Sequence, residues 1–127
     1  MKKLFGMGLV LLAGIAVGAT ITGLHAQSKA PSAYAVIDIS EVTDPETFKK
    51  VISTAAPAVA SFGHFIVRTE NIVATDGTPP KRFVIIAFDD MAKAKAWDSS
   101  AAQKEVTALR VKSTKSRQFF VEALANP

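Results

Sequence analysis

The chain contains no cysteine. That excludes a disulfide framework and any thiolate nucleophile or thiolate metal ligand. Histidine is scarce: only His25 and His64 occur, too few for the multi-histidine sets that hold zinc. No metal and no cofactor is expected. There is no Walker loop, no G-x-G-x-x-G and no G-x-S-x-G, so neither a phosphate cradle nor a nucleophile elbow is present in the pattern. Basic residues are not interleaved with aromatic ones, which argues against a dedicated nucleic-acid surface.

Part of the basic excess belongs to the start of the chain. Lys2 and Lys3 precede an almost purely apolar run from Leu4 to about Ile21, and Leu24-His25-Ala26 then leads into Gln27-Ser28-Lys29. A basic start, an apolar stretch and a small residue before a polar one form a secretory signal, with cleavage expected after Ala26. The rival reading is an uncleaved anchor, because the run approaches the roughly 18–20 apolar residues that cross a bilayer. Gly14 and Gly18 also form a G-x-x-x-G pair. The flanking residues favour cleavage. The expected location is therefore periplasmic or secreted, with the membrane met only through the signal. Residues 1–26 form the signal, 27–32 a linker, 33–123 the folded domain and 124–127 a tail. Removing 26 of the 127 residues leaves 101, enough for one domain, with 13 basic residues against 11 acidic ones. His64 is then the single histidine.

Residues 33–39, AYAVIDI, are rich in β-formers with apolar side chains on both faces, which predicts a covered strand. Asp44-Pro45-Glu46 is a helix start, with a capping carboxylate, a proline at the first helical position and an acid at the positive helix end. Phe48, Val51, Ile52, Ala55, Val59 and Phe62 continue as one apolar stripe that Pro57 should kink or interrupt and Gly63 should end. His64 to about Thr75 reads as a strand or a bent pair of strand segments. A turn cluster follows at residues 76–80, then a strong strand at 82–88, RFVIIAF. Asp89 or Asp90 caps a helix over 91–98. Ser100 with Gln103 reads as a capping box for a further helix, whose apolar stripe is Ala102, Val106 and Leu109. Residues 117–123 form the last strand.

This order predicts an α+β fold of the ferredoxin-like βαββαβ kind, an antiparallel sheet with helices on one face. The other face carries too much apolar surface to stay bare. A second copy of the chain is its simplest cover, so a homodimer pairing into a dimeric α/β barrel is expected.

Four stretches carry a resemblance: AYAVIDISEVTDPETFKK, FGHFIVRTENI, GTPPKRFVIIAF and AWDSSAAQKEVTALRVKSTKSRQFFVEA. Together they resemble the bacterial family called domain of unknown function 1330, of the dimeric α/β-barrel superfamily, over about residues 33–123. The start, including GLHAQ, is similar to that of the family's secreted members. The resemblance implies paired ferredoxin-like protomers and a function that fold alone does not choose. The superfamily includes cofactor-free monooxygenases, isomerases, haem enzymes and binding modules. His64 stands where the family often has a second glycine, so the resemblance assigns it no role.

The candidate site residues are Asp38, His64, Arg68, Arg82 and Trp97. Strict alternation would put His64, Ile66 and Arg68 on one strand face. An acid, an imidazole and guanidiniums converging in a barrel would hold a small anionic or aromatic molecule. The plain readings stand beside these. Asp38 and Arg68 are then an ion pair between neighbouring strands, His64 a solvated strand end, Arg82 a solvated strand start and Trp97 a helix anchor. Arg110, Lys112, Lys115 and Arg117 read as a solvated helix face. Three functions follow: small-molecule binding, a cofactor-free monooxygenase or isomerase with His64 as general base, or an interaction module with a solid interior.

Overall fold

The computed structural model describes residue 30 and residues 32–124. The expected signal, its cleavage point and residues 125–127 lie outside the described residues. Strand β1 (Ala33–Val42) leads into helix α1 (Pro45–Val59), strand β2 (Gly63–Thr69) and strand β3 (Arg82–Phe88). Helices α2 (Met91–Ser99) and α3 (Ala101–Ser113) follow, then strand β4 (Thr114–Glu122). The sheet order is β2-β3-β1-β4, antiparallel throughout. This is the ferredoxin-like arrangement, with the second helix divided in two.

Local chemistry fixes the helix ends. The Asp44 carboxylate accepts from the Thr47 backbone N–H at 3.2 Å and from the Thr47 hydroxyl at 2.7 Å, and Pro45 fills the first position. Those two bonds, the hydroxyl's first, hold the Asp44 carboxyl below its ordinary range. The helix runs two residues past Pro57 to Val59, so the proline neither ends a first segment nor waits for Gly63 to close the helix. Asp90 caps α2 and Ser100 caps α3, accepting from the N–H groups of Lys93 and Gln103.

The core lies between the helices and one face of the sheet. Ala33, Ala35, Ile37 and Ile39 of β1 meet Val84, Ile86 and Phe88 of β3, beneath Phe48, Val51, Val59, Trp97 and Val106. Trp97 packs against Phe88 at 5.3 Å and Phe120 at 6.4 Å between ring centres, so it does anchor α2 on the sheet. Gly63 is forced by this packing. A Cβ there would strike the Ala87 carbonyl oxygen and come within 2.8 Å of the Phe88 ring.

The opposite face carries Tyr34, Val36 and Asp38 of β1, Phe83, Ile85 and Ala87 of β3, and Phe119 and Val121 of β4. Its central row, Val67, Ile85, Val36 and Phe119, is wholly apolar. Among the described residues no helix covers it. Phe119 is 40% exposed and Val121 39%.

Three sequence expectations change here. Strand β2 stops at Thr69 rather than near Thr75, because the chain leaves the sheet at Glu70 for the long connection to β3. On α3 the buried stripe is Gln103, Val106, Arg110 and Ser113, while Ala102 is exposed. The third change is a bulge at Ile66. Phe65 pairs with Ile86 and Val67 with Ile85, leaving Ile66 unpaired. The extra residue turns the rest of β2 over, so His64 and Arg68 do not share a face.

Candidate functional site

A cavity of about 50 Å³ opens between α1, α3 and the covered face of the sheet. Its walls are mostly core side chains, among them Ile37, Phe48, Val51, Val84 and Val106. Half-exposed Ile52 and exposed Arg68 mark its mouth. Three arginines line it, Arg68, Arg82 and Arg110, and none of its lining residues is acidic.

Each arginine arrives by a different route. The bulge at Ile66 brings Arg68 onto the helix-covered face beside Val84. There its guanidinium carbon lies 4.2 Å from the centre of the Phe65 ring, a cation–π contact that keeps the side chain along the wall. Arg82 begins β3 and bonds Glu70 at 3.3 Å. Arg110 belongs to the third turn of α3 and is 6% exposed. Its Nη1 donates to Ser116 Oγ at 2.6 Å, and Ser116 Oγ lies 2.7 Å from Thr114 Oγ1. Among the described residues Arg110 makes no ion pair. Burial pulls its pKa down from the ordinary arginine value, with the Asp98 carboxylate acting weakly the other way.

Among the described residues, three buried polar atoms of the lining residues have no hydrogen-bond partner: Trp97 Nε1, Gln103 Oε1 and Arg110 Nε. Each such orphan costs about 1–3 kcal/mol. Natural cores rarely leave three in one place unless water or a bound group meets them. A buried guanidinium without a carboxylate beside it is costlier still, and the group that relieves it is an anion. About 50 Å³ is room for a few waters, and it is well short of the roughly 150 Å³ that accommodates a benzene ring.

The sequence-predicted residues divide between two faces. Arg68, Arg82 and Trp97 line the cavity. Asp38 and His64 lie on the open face, where Asp38 pairs with Arg117 at 3.3 Å and His64 stands opposite Ala87. The single convergent pocket expected of all five is thus not formed within the protomer. The Asp38–Arg68 pair is likewise replaced, since β3 lies between β1 and β2. Two cavity residues were expected elsewhere: Arg110 on a solvated helix face, although it is 6% exposed, and Gln103 in a capping box, although the Ser100 N–H goes to the Trp97 carbonyl. The signal was present: Gln103, Val106, Arg110 and Ser113 repeat at three and four, a helix face in its own right.

The match to known proteins follows the same frame. The fold is similar to that of a protein of unknown function from Rhodopseudomonas palustris, with TM-score 0.61 and 11% identity, covering 84% of this chain and 92% of that one. It is also similar to SnoaB, a cofactor-independent oxygenase from Streptomyces nogalater, with TM-score 0.53 and 16% identity over 76% of this chain and 97% of that one. A dimeric ferredoxin-like protein of unknown function from Thermobifida fusca gives TM-score 0.56 and 11% identity over 74% and 92%. At these identities the likeness is one of fold. No curated protein matches the chain. The family model "Domain of unknown function (DUF1330)" matches residues 32–124. That span includes every strand and helix framing the cavity, and on it this protein belongs to the family of domain of unknown function 1330.

Proposed function

We propose that this protein binds a small anion, with the carboxylate class first, in the cavity between its helices and its sheet. The observation that carries the reading is Arg110: a buried guanidinium without a carboxylate partner, with a free Nε, in an apolar cavity lined by two further arginines. The cavity volume favours the anionic half of the sequence expectation over the aromatic half. A solid interior is disfavoured by the cavity beside Arg68.

The working unit in this reading is a homodimer, exported by residues 1–26. The apolar row of Val67, Ile85, Val36 and Phe119, with Phe119 and Val121 exposed beside it, supports the pairing, and the dimeric ferredoxin-like proteins of similar fold agree with it. A general base at His64 finds less support, since that side chain is on the sheet face away from the cavity. Isothermal calorimetry with propionate tests the reading. Binding to the wild type that disappears in Arg110→Met supports it. No heat of binding from either propionate or glycolate, or equal binding by Arg110→Met, refutes it.

A further inference from the structure

The unmet groups of the cavity are not all of one kind. Trp97 Nε1 and Arg110 Nε are donors, whereas Gln103 Oε1 is an acceptor. All three side chains are more than nine-tenths buried, at 1%, 6% and 2% exposure. A plain carboxylate offers acceptors only. It answers the donors and leaves Gln103 Oε1 as unmet as before.

Gln103 is not free to turn away. Its Nε2 donates to Thr107 Oγ1 at 3.3 Å, one turn further along α3. That bond holds the amide in place on the helix face that also carries Arg110, about 10.5 Å further along the axis. The Gln103 backbone N–H is already held by the Ser100 cap, and the Ser100 N–H goes to the Trp97 carbonyl. The amide oxygen therefore takes no part in closing a capping box and is left to the cavity.

We propose, on the reading of the cavity as an anion site, that its ligand is a small hydroxycarboxylate, with the carboxylate on Arg110 and the hydroxyl donating to Gln103 Oε1. A hydroxyl both donates and accepts, so its oxygen can in turn accept from Trp97 Nε1. One hydroxyl and one carboxylate then meet all three orphan atoms. The size also agrees: the smallest 2-hydroxy acids are close in scale to a few waters.

Calorimetric titration of the purified full chain with glycolate and with propionate tests this. The two acids have the same number of non-hydrogen atoms and differ only in hydroxyl against methyl. Glycolate is expected to bind at least about tenfold tighter, because a buried acceptor goes unmet with propionate. In Gln103→Met the difference is expected to shrink to within about threefold. If that variant fails to fold by circular dichroism, the wild-type ratio decides alone. Propionate binding as tightly as glycolate in the wild type overturns the hydroxyl assignment and leaves the anion site standing. A glycolate preference that survives in folded Gln103→Met overturns the role of Gln103. Absence of binding by either acid overturns the anion site and this proposal with it.

Discussion

Arg110 Nη1 and Ser116 Oγ lie 2.6 Å apart, and this contact joins the last turns of α3 to the start of β4. The same Ser116 oxygen touches Thr114 Oγ1 at 2.7 Å, whose hydroxyl donates to the Arg110 carbonyl at 2.6 Å. Guanidinium, two hydroxyls and a backbone carbonyl form a closed set. The set aims Arg110 without neutralising it.

Ser116→Ala is therefore expected to weaken anion binding and stability together. It leaves Nη1 without its acceptor inside the protein, at a cost of about 1–2 kcal/mol. Urea melts and propionate calorimetry on the same preparation check this. Unchanged affinity would mean that Ser116 does not position the guanidinium.

Arg110→Met is expected to lose binding while keeping or gaining stability, by up to about 2 kcal/mol, because it removes an unpaired buried charge and keeps the volume. Ser116 retains Thr114 as a partner in the variant. Thermal unfolding without ligand reads the effect. A marked loss of stability would make Arg110 a structural residue rather than a binding one.

The element order and the helix caps could be read from residue types alone. Asp44-Pro45, Ser100 and the run Arg82 to Phe88 each signal through local chemistry, and local chemistry decides those features. The face of Arg68 could not be read, because it depends on one unpaired residue, Ile66. A bulge leaves no mark in a stretch such as GHFIVR, where either register buries something apolar. Arg110 was hidden by its own charge. A lone arginine on a helix is ordinarily solvated, and only the packing of α3 on α1 and β4 shows that this one is enclosed.

Gly63→Ala is expected to destabilise the fold by about 1–3 kcal/mol, the range for forcing extra volume into a packed site. The added methyl meets a backbone carbonyl and the Phe88 ring, and the carbonyl cannot yield without disturbing the β2–β3 pairing. Differential scanning calorimetry checks it. An unchanged melting temperature would show that the hairpin shifts freely.

Ile85→Asp is expected to turn a dimer into a monomer. Ile85 is central on the open face, between Val67 and Val36, and points away from the cavity. Sedimentation velocity reads the assembly, and far-ultraviolet circular dichroism confirms the fold. A variant that stays dimeric would place the contact elsewhere.

Acid should loosen the start of α1. The Asp44 carboxyl is held below its ordinary value of 3.8, so its contribution is complete above that value and is lost as pH falls below it. Asp44→Asn keeps a capping side chain without the charge. Wild type is expected to lose more stability than Asp44→Asn between about pH 6 and pH 3. Parallel losses in urea melts would remove Asp44 from the acid response.

The most direct measurement is a nitrogen-15 correlation spectrum of the arginine Nε–H groups, recorded while acetate is added. The Arg110 signal is expected to shift in a saturable way, while that of Arg117, whose side chain is 73% exposed on the other face, follows only the bulk salt. An Arg110 signal that stays still, or moves no differently from that of Arg117, would contradict an anion site in the cavity.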